Sequence, residues 1–144
     1  GIEKIQSVDN SLYHYIKRGT ESLDNKYRSD FLEIQERIFS ELIITMELYN
    51  VSCKKKSLIY FDFMGAIIVS IDNYYAFEYK KQKNRKALKK VIENACDIIK
   101  KYQIIKMVKG KAKVICIIRF IMLKLGMYKI DYMVRNFLKK LLRL

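Results

Sequence analysis

The sequence predicts an all-α protein, a bundle of four or five helices preceded by a short extended arm. The 144-residue chain has no proline and only five glycines, whereas a β-rich chain of this size needs many turns built from such residues. Its composition is 51% hydrophobic and 31% charged, which excludes a disordered chain. Apolar residues recur at helical spacing in several long segments. This length is typical of one domain with its own core.

The first helix has the clearest start signal. Asp30 is a favourable N-cap, and Glu33 three residues later completes a capping box. The helix begins there or as early as Asp24, and Asn50 is a fair C-cap. The apolar residues at helical spacing between these ends are Phe31, Ile34, Ile38, Leu42, Met46 and Tyr49.

The second helix is predicted over Leu58–Tyr79, with Ser57 as its cap and Cys53–Lys56 as a basic loop before it. The run Ala66–Ile71 would also suit a strand, but strands rarely exceed about 10 residues, so the length of the segment favours a helix. The segment is apolar on nearly every side, which places it at the centre of the bundle.

The rest of the chain reads as three more helices. Asn84 caps the first, and Gly110 and Gly126 separate it from the next two. The predicted segments are 84–105, Lys111–Leu125 and Met127–Leu144. A membrane span needs about 20 mostly apolar residues. Leu58–Ile71 is too short and is interrupted by Asp62, and Val114–Leu125 contains Arg119 and Lys124. We expect the apolar face of Lys111–Leu125 to pack into the bundle.

Charge is divided unevenly along the chain. Residues 1–78 hold 9 Lys/Arg and 12 Asp/Glu, whereas residues 79–144 hold 20 Lys/Arg and 3 Asp/Glu. Such asymmetry is typical of a chain half that meets a polyanion or an anionic membrane. A solvated cationic face explains the same pattern equally well.

The three cysteines, Cys53, Cys96 and Cys116, are far apart and show no zinc-ligand spacing. We expect each to pack as a small apolar residue in a reducing compartment. The chain starts Gly1-Ile2-Glu3, without a signal-peptide pattern, and we expect it to be part of a longer cytoplasmic protein.

Residues 12–22, Leu-Tyr-His-Tyr-Ile-Lys-Arg-Gly-Thr-Glu-Ser, combine features suited to a phosphate. Lys17 and Arg18 supply positive charge, with arginine able to grip a phosphate at two points. The glycine lets the backbone approach closely, and Thr20 and Ser22 add hydroxyl donors. The sequence therefore predicts a diphosphate-contacting turn, with an ordinary exposed turn as the alternative.

This stretch resembles the end of the nucleotide-sugar core in bacterial family-2 glycosyltransferases of the GT-A type. In that family a Tyr-x-Tyr strand, basic residues and a Gly-Ser turn precede a long helical tail. Ile16 stands where the family usually has an arginine, and Arg18 matches a family arginine. The resemblance implies that residues 1–22 end a catalytic core and that residues 23–144 form a C-terminal helical domain.

The resemblance also implies a parent enzyme that transfers sugar from a nucleotide-diphosphate sugar to a polysaccharide or lipid-linked acceptor. The parent would use a divalent metal, Mg or Mn, which His14 helps to hold if it is not simply a structural histidine. This chain has no Asp-x-Asp motif and no catalytic set of its own. We therefore expect no catalytic residue and no cofactor here, and a role in acceptor, membrane or subunit contact.

The last predicted helix is strongly amphipathic. Its cations are Lys129, Arg135, Lys139, Lys140 and Arg143, and the opposing apolar stripe is Ile130, Met133, Val134, Phe137, Leu138 and Leu141. This pattern is typical of a helix lying at an anionic membrane surface, here the inner face of the cell membrane. Burial of the stripe against Leu88–Ile105 is equally consistent with the pattern.

Two other functions fit the basic half. A helical nucleic-acid-binding domain uses lysines and arginines in the same way, although here the cations alternate with bulky apolar residues. A structural adaptor, including one that forms homo-oligomers, needs no ligand site at all.

Overall fold

A computed structural model describes residues 29–141, with side chains described up to Phe137. Within this range the chain forms six helices and no strand, which confirms the all-α prediction; the expected arm, residues 1–22, lies outside it. The helices are α1 Phe31–Leu48, α2 Cys53–Tyr74, α3 Arg85–Lys101, α4 Ile104–Met107, α5 Gly110–Lys124 and α6 Tyr128–Leu141. A π-helical turn, Tyr75–Tyr79, and a last turn, Lys80–Gln82, prolong α2.

Helix α1 has the ends that the sequence predicts. It begins directly after Asp30, but the Asp30 side chain makes no capping hydrogen bond, so the predicted capping box is not formed. Asn50 adopts a left-handed conformation, with φ of +47°, and its N–H donates to the carbonyl of Glu47 at 3.2 Å. The next N–H, of Val51, donates to Met46 at 3.0 Å. These paired bonds form a Schellman motif, which satisfies the last carbonyls of the helix and turns the chain.

Helix α2 begins earlier than predicted, because Cys53–Lys56 is its first turn and not a loop. Lysine has a high helix propensity, and no breaker separates this turn from the apolar segment. Ser57 therefore lies inside α2, where it has a different partner. Its Oγ accepts a hydrogen bond from the N–H of Lys109, the residue before α5, at 2.9 Å.

Helix α2 is central, as predicted, and packs against α1, α3, α4 and α5. Its side chains Met64, Ile67 and Ile71 are fully buried. On the α1 side, Phe39 stacks on Phe63 with ring centroids 3.8 Å apart. The other large, fully buried aliphatic and thiol side chains come from the segment that runs from α3 to α5: Ile99, Ile104, Val108 and Cys116.

Helix α3 is capped as predicted, since Asn84 Oδ1 accepts from the N–H of Ala87 at 3.0 Å. It ends at Lys101, earlier than expected, because Gln103 is left-handed with φ of +49°. Between α5 and α6, Gly126 has φ of +69°. The N–H of Met127 bonds back to Met122 at 2.8 Å, so a second Schellman motif directs α6 away from α5.

Candidate functional site on helices α5 and α6

Helix α6 turns a polar and aromatic face toward the protein. Arg135 binds Asp72 of α2 at two points, Nη1 to Oδ2 at 2.5 Å and Nη2 to Oδ1 at 2.8 Å. Its Nε donates to Asp131 Oδ2, one turn earlier on α6, at 2.7 Å. The hydroxyl of Tyr128 donates to Asp72 Oδ1. These four side chains, which we call the Asp72 cluster, join α6 to α2.

Burial and charge fix the protonation of two members of the Asp72 cluster. Burial of the Tyr128 hydroxyl raises its pKa, and the hydrogen bond to Asp72 and its negative charge raise it further. For Arg135, burial opposes the charged form. The hydrogen bonds and charges of Asp72 and Asp131 outweigh that cost and raise its pKa. Tyr128 therefore stays a neutral donor, and Arg135 stays charged.

Tyrosine rings surround the Asp72 cluster. Tyr75, in the π-helical turn, stacks on Tyr79 with ring centroids 5.2 Å apart. It also meets two rings of α6, Tyr128 at 5.5 Å and Tyr132 at 4.9 Å. These contacts bury apolar ring surface at the α2–α6 junction while the hydroxyl of Tyr128 stays bonded.

The apolar stripe of α6 consequently faces solvent. Residues two positions apart in sequence lie about 200° apart around a helix. Each apolar residue of the stripe comes two positions after an inward-facing residue, so the stripe lies on the opposite side of α6. Phe137 is 63% exposed, and Ile130, Met133 and Val134 are also exposed. The sequence also allowed this stripe to be buried against Leu88–Ile105. For these four residues that alternative is wrong, because all four are exposed.

Helix α5 also carries exposed apolar side chains, although we expected this face to pack into the bundle. Val114 is 56% exposed and Ile118 is 52% exposed, while Cys116 and Leu123 on the other side are buried. We refer to the exposed apolar residues of α5, of α6 and of the turn between them together as the α5–α6 apolar surface. Its members are Val114, Ile115, Ile118, Ile121, Leu125, Met127, Ile130, Met133, Val134 and Phe137.

The cations predicted on the outer face of α6 differ in their surroundings. Lys129 is exposed, as predicted. Arg135 is a correction: it is held inward by Asp72 and Asp131 and so is not part of an outer cationic face. The side chains of Lys139, Lys140 and Arg143 lie outside the described part of the chain.

The predicted diphosphate and metal residues, His14, Lys17, Arg18, Thr20 and Ser22, also lie outside residues 29–141, so they remain predictions. Within residues 29–141 there is no group of three or more His, Cys, Asp or Glu side chains arranged to hold a metal ion.

The cysteines only partly follow the prediction. Cys96 and Cys116 are buried, and burial is the main cause that raises the pKa of each thiol. Cys53 is exposed in the first turn of α2, which corrects the expectation that it packs as an apolar residue.

None of the helices in the described range combines the length and apolar character needed to cross a bilayer. Comparison of the chain with protein-family models, with curated proteins and with solved structures finds no significant match. The α5–α6 apolar surface is therefore interpreted from its own geometry.

Proposed function

We propose that this chain is a helical docking domain that binds peripherally to an anionic membrane through the α5–α6 apolar surface. The observation that carries the proposal is the orientation of α6. Its charged and aromatic face is bonded to α2, while its bulky apolar residues face outward. A helix with this outward face lowers its free energy by lying at the boundary between headgroups and acyl chains.

Charge favours a lipid surface over a second copy of the chain. Residues 110–141 contain eight Lys/Arg and one Asp. Pairing two such surfaces would bring like charges together, whereas an anionic leaflet attracts each nearby Lys or Arg by about 1 kcal/mol. The exposed cations Lys111, Lys113, Lys124 and Lys129 flank or interrupt the apolar residues.

A further cationic segment lies close to this surface. Residues 80–90 contain seven Lys/Arg and no acid, and all seven side chains are exposed. Lys80 Nζ lies 6.0 Å from the ring of Tyr132 on α6, and Arg85 lines a groove with Leu125. The segment therefore adds positive charge beside the surface proposed to meet the membrane.

We also propose that this domain belongs to a larger enzyme, a glycosyltransferase. The resemblance of residues 12–22 to family-2 glycosyltransferases supports a parent enzyme that transfers sugar from a nucleotide-diphosphate sugar at the inner face of the membrane. Docking would hold such an enzyme near a lipid-linked acceptor or a growing polysaccharide. The reading frame tests this part, because it requires an upstream α/β region with an Asp-x-Asp motif.

Flotation with liposomes tests the docking itself. The protein should float with vesicles rich in anionic lipid, float poorly with neutral vesicles, and be released by high salt, since salt screens the attraction. Phe137→Asp should abolish flotation without unfolding the protein, because Phe137 is exposed. Leu48→Asp is the matched control, an exposed apolar residue of α1 that should leave flotation unchanged.

Docking would be refuted if the unmodified protein did not float with anionic vesicles, or if it reached the top of the gradient equally well without vesicles. It would also be refuted if Phe137→Asp floated as well as the wild type, or if only the Leu48→Asp control lost flotation. Retention by nucleic acid without flotation would favour the basic nucleic-acid-binding alternative. Concentration-dependent dimers that Phe137→Asp dissociates would instead make the surface a contact between copies.

A further inference from the structure

A groove lies between one face of α3 and the carboxyl end of α5. Its volume is about 660 Å³, within the usual range of ligand sites. The lining residues of α3 extend from Arg85 to Lys100, a distance of about 22 Å along a helix. The opposite wall is Leu123–Gly126, the end of α5 and the turn before α6.

The floor of the groove is apolar. Leu88, Ile92 and Cys96 follow one another at helical spacing on α3, and Leu123 and the exposed Leu125 are the apolar residues of the opposite wall. Such a floor suits an alkyl chain, because binding there removes the methylene groups of the chain from water.

The rim of the groove has a cationic excess. Two of its lysines have acidic partners on the same helix: Lys89 lies 3.7 Å from Glu93, and Lys100 lies 2.9 Å from Asp97. Arg85 and Lys124 have no acidic partner among residues 29–141. Arg85 is in the first turn of α3, where the helix dipole is also positive, and Lys124 is close enough to Cys96 to lower the pKa of its thiol, against the larger effect of burial.

We infer that this groove binds one single-chain anionic lipid, with its alkyl chain on the floor and its phosphate against Arg85 or Lys124. The shape takes an alkyl chain, and the unbalanced cations select a negative headgroup. The inference concerns a discrete ligand site and stands apart from docking on a bilayer, although the groove shares Leu125 with the α5–α6 apolar surface.

Isothermal titration calorimetry with dodecyl phosphate, kept below its critical micelle concentration, tests the site without any vesicle. We expect saturable binding at one molecule per chain. Dodecyl maltoside, which has the same alkyl chain without charge, and inorganic phosphate should each bind at least tenfold more weakly. Equal binding of the maltoside would show a merely apolar groove, and equal binding of inorganic phosphate would show a merely anionic site; either result overturns the inference.

Charge-reversal variants locate the headgroup. Arg85→Glu or Lys124→Glu should weaken dodecyl phosphate binding at least fivefold, and the variant with the larger effect identifies the contact. Lys90→Glu is the matched control, because Lys90 is exposed on α3 and is not among the lining residues; it should change binding less than twofold. Equal affinity in all three variants would overturn the inference.

A last comparison separates this inference from the proposed function. Phe137→Asp, which should abolish flotation, should leave dodecyl phosphate binding unchanged. If the unmodified protein binds dodecyl phosphate but does not float with vesicles, the lipid site is supported and docking is refuted. If it floats but does not bind dodecyl phosphate, docking is supported and the lipid site is refuted.

Discussion

Asp72 and Arg135 lie 63 positions apart in the chain and form a two-point ion pair between α2 and α6, at 2.5 and 2.8 Å. This pair determines which side of α6 faces the protein. With Arg135 turned inward, Phe137 two positions later is turned outward. The exposed apolar residues of α6 are thus a consequence of where its polar residues are bonded.

Asp72→Asn should lower the free energy of unfolding by about 2–3 kcal/mol. Asparagine has nearly the shape of aspartate and keeps an oxygen that accepts from Tyr128. It removes one of the two negative charges bonded to Arg135 and leaves only that of Asp131. Loss of one partner of a buried pair costs about 3–5 kcal/mol, and the partial exposure of both side chains, 15% and 21%, reduces the effect. Urea unfolding measures it. Glu93→Gln, in an exposed pair, should cost under about 0.5 kcal/mol, and equal effects would contradict the role of Asp72.

Tyr128→Phe should destabilise the protein by about 1.5–3 kcal/mol near neutral pH, the usual effect of losing a hydrogen bond to a charged group. The raised pKa of Tyr128 gives this difference a pH dependence. Because the unfolded tyrosine ionises near pH 10 while the folded one does not, the stabilisation is complete below about pH 10. It falls at higher pH by up to about 1.4 kcal/mol per pH unit.

The difference in unfolding free energy between the wild type and Tyr128→Phe should therefore shrink above about pH 10. Chemical denaturation at pH 8, 9, 10 and 10.5 measures it. The other groups with raised pKa, including Tyr60 and Lys100, affect both proteins equally and cancel in the difference. A constant difference across this range would contradict the raised pKa of Tyr128.

One of the three thiols should react rapidly with a thiol reagent at pH 8. Cys53 is exposed, whereas Cys96 and Cys116 are buried and burial raises their pKa, so little reactive thiolate is present. Labelling followed by mass spectrometry should give one fast adduct in the native protein and three in denaturant. Cys53→Ser should remove the fast adduct, and rapid labelling that persists in this variant would contradict the packing of α3 and α5.

Two glycine substitutions should have opposite effects. Gly65 lies within α2, where an added Cβ meets nothing within 4 Å, so Gly65→Ala should stabilise by about 0.5–1 kcal/mol. Gly126 also has open space but a φ of +69°, so Gly126→Ala should destabilise by about 1–2 kcal/mol. Thermal and urea unfolding of both variants measure this, and the same sign in both would contradict the left-handed turn before α6.

Much of the fold follows from periodicity and end signals. Asp30, Asn50, Asn84 and Gly126 each mark a helix end at the predicted place. For the last three the structure shows a capping hydrogen bond or a left-handed conformation, which depends on the local backbone. The sequence predicts the start of α2 too late, at Ser57, because a serine before an apolar run resembles a cap. Its hydroxyl oxygen instead accepts a hydrogen bond from the N–H of Lys109, 52 positions away. No local sequence pattern reveals this contact.

The sequence does not determine the orientation of α6, for a different reason. Its sequence has two faces with the same helical spacing, Tyr128–Asp131–Tyr132–Arg135 and Ile130–Met133–Val134–Phe137. Periodicity shows which residues share a face but not which face meets the protein. Asp72 decides it, through a contact 63 positions away that the sequence of α6 does not reveal. The acid and the arginine one turn apart on the first face, Asp131 and Arg135, are the sequence feature that could have indicated which face is bonded to the protein.

The depth of residue 137 in a membrane tests the proposed docking most directly. The chain has no tryptophan, so Phe137→Trp introduces a single reporter on the outward stripe, and Leu48→Trp introduces a matched one on α1. With anionic vesicles, the emission of the Phe137→Trp protein should shift to shorter wavelength and be quenched by lipids brominated in the acyl chains, while the control remains unchanged. If the emission and quenching of the Phe137→Trp protein match those of the control, the α5–α6 apolar surface does not enter a membrane and the docking account is wrong.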